Sequence, residues 1–333
     1  MTDLQLAISA LAAIAVLWVV VFNIREWRQT KGLMPKRSET PRIDPEGLSD
    51  DDHGSDAFGL DALEFRSALE GSDDESNVLP TEYCDAISEV RWQSPIAAAR
   101  VRQLLRGWRH VGSKPLAFGW RATERTSLSA RPLTEEIVGL QVGILMATRS
   151  GPLHAMEYSE WQSHLTKLAG ELGGQAEIPA MSDVLLRARA LDLQCAAVDA
   201  QLSLCVKVRG MLSADRIQSA AQAAGLEMRG ESRFAMGPLN EQRFAVFPGD
   251  GGDNLILLLD VPRTSDPAVA FRQMHETAEV LAGALQGEIT DEAGRGLGSR
   301  DLELITTQIH SRLEQMEALG IIPGSTVAQR LFL

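Results

Sequence analysis

Two stretches of this chain spell nearly the same phrase 113 residues apart: LAGELGGQAEI begins at Leu168 and LAGALQGEI at Leu281. The surroundings echo in the same order. A β-type run from Leu140 (LQVGILMATRSG) parallels one from Asn254 (NLILLLDVPRTSD), and each passes through a loop carrying Arg149 or Arg263 into a helical pattern. There Trp161, Leu165, Leu168 and Leu172 match Met274, Ala278, Leu281 and Leu285 at one constant offset. Steps of four, three and four residues place each set on a single buried helix face. Asp266 before Pro267 supplies an N-cap and a first-turn residue for the second of these helices.

The parallel extends in both directions. CDAISEVRW from Cys84 resembles VDAQLSLCVKV from Val198, and MSDVLLRARAL from Met181 parallels GSRDLELITTQI from Gly298. Each unit reads strand, helix, strand pair, strand, helix, strand, helix. A repeat of about 110 residues exceeds the roughly 20 to 50 of solenoid repeats. It suits two tandem small α+β domains, each an antiparallel sheet with helices packed on one face. In LSLCVKVR, Leu202, Leu204, Val206 and Val208 alternate toward the helices, leaving Ser203, Cys205, Lys207 and Arg209 on the opposite face. That face has no second helical layer to cover it, and an open sheet is a platform for a peptide or partner.

Charge divides the chain unevenly. The net charge is −13, yet residues 38–80 alone hold 13 Asp or Glu against 2 Arg, a local balance of −11. Low hydrophobicity with high net charge predicts a disordered tether that self-repulsion extends. Within it, Phe58 to Glu70 has apolar spacing suited to a short helix. The remainder is only mildly acidic, which argues against nucleic acid as the main partner. Cys84, Cys195 and Cys205 are widely spaced with no CxxC pair, so neither a disulfide framework nor a zinc site is expected and a reducing compartment fits.

Nineteen residues from Leu4 to Phe22 carry no charge, enough helix to cross a hydrocarbon core of about 30 Å. Arg25, Arg28, Lys31, Lys36 and Arg37 follow the run. The positive-inside rule then predicts a single-pass anchor with its N-terminus outside and the rest in the cytoplasm. A cleaved signal peptide would instead need a basic segment before the apolar run.

Catalytic signatures are thin. HETAE at His275–Glu279 lacks the second histidine of a zinc-protease helix, and GRGLG at Gly294–Gly298 lacks the Lys and Ser or Thr of a phosphate loop. A solvated helix face and a mobile connection are the plainer readings. The other histidines are scattered and no serine or cysteine sits in a nucleophile elbow. The sequence therefore disfavours an enzyme, and no cofactor or metal is expected.

The order of an N-terminal apolar helix, basic flank, acidic tether and C-terminal α+β domain resembles the bacterial ZipA family of cell-division proteins. LSLCVKV, AAQAAGLEM, FAVFPGD, LLLDVP and FRQMHETAEVLAGALQGEITDE, within residues 198 to 315, carry the local similarity, with FPG at Phe247–Gly249 and DVP at Asp260–Pro262 as its distinctive marks. The resemblance implies a membrane-anchored adaptor that binds the C-terminal tail of the division GTPase FtsZ along the exposed sheet face. It implies tail-binding positions at Cys205, Lys207, Arg233, Ala245, Phe247, Ile256 and Leu258, with Ser203 and Glu231 beside them. Arg233 and Glu231 depart from the family's apolar groove.

The expected organisation is a transmembrane anchor at 1–24, a basic segment and acidic linker at 25–80, and a degenerate ZipA-like unit at 81–196. An FtsZ-binding unit at 197–320 and a C-terminal tail at 321–333 follow. The expected partners are the FtsZ peptide and, through the N-terminal helix, the lipid bilayer at the division site of the inner membrane, with self-association left open. The alternative is a membrane-anchored regulatory module that binds a small ligand between paired α+β domains.

Overall fold

The echoed phrase is a helix exit and strand entry used twice. In a computed structural model, which describes residues 78–122, 127–132, 134–230 and 232–333, Leu172 and Leu285 end the buried faces of two long helices. The next residues, Gly173 and Gln286, both take the left-handed conformation, with φ of 62° and 58°, which ends a helix by turning the chain back. Gly174 and Gly287 follow. A Cβ on Gly287 would meet the Lys207 carbonyl oxygen at 2.7 Å, and one on Gly174 would collide with the carbonyl of Arg91. Both glycines let an edge strand come in beside the first strand of its sheet.

The first sheet contains β1 (Asp85–Ala97), β2 (His110–Val111), β3 (Lys114–Ala122), β4 (Glu136–Leu145) and β7 (Gly174–Glu177), in spatial order β2-β3-β4-β1-β7. A short hairpin, β5 (Ala147–Thr148) and β6 (Gly151–Pro152), follows β4. The second sheet contains β8 (Gln201–Lys207), β9 (Glu227–Gly230), β10 (Arg233–Met236), β11 (Phe244–Pro248), β12 (Asn254–Asp260) and β13 (Glu288–Thr290), in order β9-β10-β11-β12-β8-β13. All pairings are antiparallel. In each sheet the strand after the long helix lies outside the first strand, which pairs on its other side with the strand before that helix. The second sheet has one strand more than the first.

Helices α1 (Ala98–Leu104), α2 (Ala155–Glu171) and α3 (Met181–Val198) belong to the first half, and α4 (Ala214–Ala223), α5 (Pro267–Leu285), α6 (Ser299–Ala318) and α7 (Thr326–Leu331) to the second. The paired helix faces behave as their spacing requires. Trp161, Leu165, Leu168 and Leu172 on or just after α2 are buried in the first core, and Met274, Ala278, Leu281 and Leu285 on α5 in the second. The Asp266 carboxylate accepts the Val269 N–H at 3.1 Å and Pro267 opens α5, as the Asp-Pro pair predicts. Leu204 and Val206 on β8, and Val208 just after it, are buried with α4, α5 and Ile309 of α6, and Leu202 packs against them.

The described residues all lie within one compact unit, and two features join its halves. Arg149, at the tip of the β5–β6 hairpin, donates to both oxygens of Asp199 and of Asp260, its closest approaches being 2.6 and 2.5 Å. Buried Lys114 steadies the hairpin by bonding Thr148 at 2.9 Å and the Gly151 carbonyl at 2.6 Å. The second joint is the C-terminal segment. Residues 321–333, read from the sequence as a tail, contain α7, and Ile321, Ala328, Leu331 and Phe332 enter the first core with Met316 of α6.

The expected anchor at 1–24, most of the linker at 25–80 and the Phe58–Glu70 pattern lie outside the described residues. Among the described residues no helix is long and apolar enough to cross a membrane.

Candidate peptide-binding face

Period-two alternation separates the two faces of the second sheet. On β12, Leu255, Leu257 and Leu259 are fully buried against helices, while Asn254, Ile256, Leu258 and Asp260 are half-buried on the other face. Strand register then sets that outer face in rows. Phe247, Ile256, Cys205 and Thr290 are successive cross-strand partners over β11, β12, β8 and β13. Ala235, Ala245, Leu258 and Ser203 form the next row over β10, β11, β12 and β8. Facing partners stand about 5 Å apart, so Ala245, Phe247, Ile256 and Leu258 make a contiguous apolar patch, while Ala235, Cys205 and Thr290 in the same rows are buried.

Four of the expected residues, Ala245, Phe247, Ile256 and Leu258, lie at the centre of these rows and are all half-buried. Cys205 shares their face but is only 5% exposed. The segment after β13 covers it: Thr290 bridges Gly296, and the Ser203 hydroxyl donates to Glu292 at 2.5 Å. Burial, then the neighbouring Glu292 and Asp291, push the Cys205 thiol up from its ordinary range. The segment is itself tied. Burial acts to raise the Asp291 carboxyl, but the backbone N–H and guanidinium of Arg295 outweigh it and hold the group below the usual carboxylate range. GRGLG, read from the sequence as a mobile connection, begins in a turn that the Asp291–Arg295 pair closes.

The two cations are peripheral. Lys207 is exposed at the end of β8, opposite Asn254 and Glu288. Arg233 is half-buried at the start of β10 and is already engaged. Glu231 lies outside the described residues. Sequence reasoning omitted Ala235, Thr290 and Glu292. Ala235 and Thr290 are legible in principle, because the alternation of Phe234 and Met236 turns Ala235 outward and the short β-type GEIT places Thr290. Glu292 has no periodic signal.

The corresponding face of the first sheet is built differently. Ala117, Gly119, Gly139 and Gly143 occupy much of it, and a Cβ on Gly143 would stand 2.7 Å from the Pro80 Cβ. Leu79 and Leu128 approach the position above Gly119 to 3.5 and 3.4 Å. The remainder is ionic. Glu89 accepts from Gln141 at 3.0 Å, Arg91 Nε at 2.7 Å and Arg121 at 3.4 Å. The Gln141 hydrogen bond, then Arg91 and Arg121, hold the Glu89 carboxyl low against its burial. This face is filled by its own chain and by charge, so the open apolar surface belongs to the second sheet.

Comparison with known families places the match over that open surface. Residues 235–308 match the family described as ZipA, C-terminal FtsZ-binding domain. The matched stretch holds Ala235, Ala245, Phe247, Ile256 and Leu258; Cys205, Lys207, Arg233 and the whole first sheet precede it. The chain matches no curated protein.

Proposed function

With a ZipA C-terminal domain over residues 235–308 as the premise, we propose that the chain is a cell-division adaptor whose second sheet binds the FtsZ C-terminal tail. The observation that carries this reading is the pair of apolar rows around Ile256 and Leu258, uncovered by helices, whose members on β10, β11 and β12 lie within the family match. An extended or partly helical peptide laid over them buries its own aliphatic and aromatic side chains against Phe247, Ile256, Leu258 and Ala245. Glu292 and Lys207 set opposite charges around Cys205 and the end of β8, and such peripheral charges steer orientation more than they add affinity.

The uncharged run at Leu4–Phe22 holds the adaptor in the inner membrane, N-terminus outward, with the acidic stretch as a spacer. The first sheet is a diverged copy of the domain whose peptide face has been filled by Leu79, Pro80 and the Glu89 ion pairs. Its role is to support the second through Arg149 and α7. Filaments present many tails and the membrane many receptors, so linked weak contacts raise effective concentration without new chemistry.

Titration of the chain with an FtsZ tail peptide tests the reading. Binding that falls at least tenfold in Leu258→Glu supports it, because an unpaired charge would enter the apolar contact. Absence of tail binding combined with a thermal shift from small molecules would favour the ligand-sensing alternative.

A further inference from the structure

From Trp92 to Thr123 the sequence holds six Lys or Arg and no Asp or Glu, in a chain of net charge −13. The fold uses two of these cations internally: Lys114 is buried in the hairpin contact and Arg121 faces Glu89. The other four, Arg100, Arg102, Arg106 and Arg109, lie within ten residues on α1 and the turn after it, and all are exposed. Arg100 donates to the backbone carbonyl of Glu171 at 3.3 Å. Arg102, Arg106 and Arg109 have no hydrogen-bond or ion-pair partner among the described residues.

Several arginines elsewhere in the fold are ion-paired: Arg91 to Glu89, Arg149 to Asp199 and Asp260, Arg229 to Glu227, Arg295 to Asp291 and Arg330 to Asp85. Others, such as Arg189, Arg209, Arg272 and Arg300, are exposed without an ion pair among the described residues, but they do not cluster four within ten residues. The helix at the same place in the second half, α4, carries one acid and one base, Asp215 and Arg216. Trp108, between Arg106 and Arg109, packs its ring 5.2 Å from that of His164. That contact sets the cluster beside the exposed side of α2, where Lys167 and Glu171 pair at 3.9 Å. Exposed guanidiniums repel one another only weakly through water, and a cluster of them gains most from an anion that meets several together.

We infer that this arginine face of the first half is a docking surface for anionic lipid head groups, and that it lays the folded unit against the membrane to which the N-terminal run is proposed to anchor it. Exposed donors on a helix and a turn suit an extended plane of phosphates. The acidic balance of the remaining chain disfavours a wrapped polyanion such as nucleic acid. A bilayer holding Leu4–Phe22 is also an anionic surface tethered to the folded unit, and so at high effective concentration. Each cation near such a surface is worth about fivefold in partition, so three supply about a hundredfold. The tail-binding face lies on the other sheet and takes no part.

The test uses the full chain in vesicles of phosphatidylcholine alone or mixed with phosphatidylglycerol. The native cysteines are all buried, so a donor dye on Gln103→Cys reports energy transfer to a lipid-borne acceptor. Transfer is expected to be high only with phosphatidylglycerol, and to collapse in about 1 M salt, where the screening length is about 3 Å. The triple Arg102→Gln, Arg106→Gln, Arg109→Gln variant should fall to the neutral-lipid level, while the corresponding triple Lys variant keeps the transfer. An unchanged melting temperature and unchanged FtsZ-tail affinity show that fold and peptide site are intact. Carbonate extraction scores the anchor separately; if the chain does not insert, flotation with the same vesicles gives the arginine-dependent readout. Equal transfer on neutral and anionic vesicles, or transfer indifferent to the triple Gln change, overturns the inference. Arginine-dependent binding to RNA or polyglutamate without lipid dependence overturns it in favour of a soluble polyanion.

Discussion

Arg330 on α7 grips Asp85 at the start of β1 with two hydrogen bonds of 2.8 and 2.6 Å, joining residues 245 apart in sequence. Asp85 is fully buried and also accepts the Thr81 N–H at 2.8 Å. The pair raises the already high Arg330 pKa against the opposing effect of burial. Removing the cation would strand a carboxylate with no solvent. Arg330→Ala is therefore expected to cost about 3 to 5 kcal/mol in chemical denaturation. The double change Asp85→Leu with Arg330→Met should cost much less, because no uncompensated charge remains. A loss below about 1 kcal/mol in the single variant would contradict the assignment.

The same helix closes the first core. Phe332 is 1% exposed and its ring lies 5.6 Å from the Arg149 guanidinium carbon. Phe332→Ala should cost about 3 to 5 kcal/mol as a large-to-small core change. Limited proteolysis should then cut first within residues 85–198, since the cavity opens in the first core. Initial cleavage within the second sheet would contradict the packing.

Alkaline pH should weaken the fold. Burial, then the neighbouring Asp85 charge, push the Cys84 thiol up to about 11, and burial with Asp192 and Asp199 pushes Cys195 up to about 12, from an ordinary 9.0. Raised acidic groups keep their protons in the folded state after the unfolded chain has lost them. Their stabilisation is complete below about pH 9 and is lost as pH rises toward 11 and 12. Denaturation midpoints should hold steady from neutrality to about pH 9 and then decline. Disulfide reagents at neutral pH should modify the three cysteines slowly until denaturant is added, because the buried thiols do not form thiolate. Rapid native labelling of Cys84 or Cys195 would argue against this burial.

What the sequence made legible was periodic and local. Trp161 through Leu172 and Met274 through Leu285 announce their buried faces by helical spacing, and Asp266–Pro267 announces a helix start. The alternation of β8 places Cys205 and Lys207 on the outer face, and the same rule places Ile256 and Leu258 there from β12. The α+β class with antiparallel sheets follows from those patterns. Long-range occlusion has no such signature. Cys205 reads as a surface thiol until Glu292 and Thr290 come down beside it. Ile321, Leu331 and Phe332 read as a tail because the core that receives them is formed more than a hundred residues earlier. Gly119, Gly139 and Gly143 likewise do not reveal that Leu79, Pro80 and Leu128 cover the first sheet.

The most direct measurement is a calorimetric titration of the FtsZ C-terminal peptide into the chain, into Leu258→Glu and into Arg121→Glu, each shown to be folded. The account predicts saturable binding to the parent, at least tenfold weaker binding when a charge enters the second sheet's apolar rows, and affinity within about twofold of the parent when charge is reversed on the first sheet. Equal affinity for the parent and Leu258→Glu, or loss of binding only in Arg121→Glu, would contradict it.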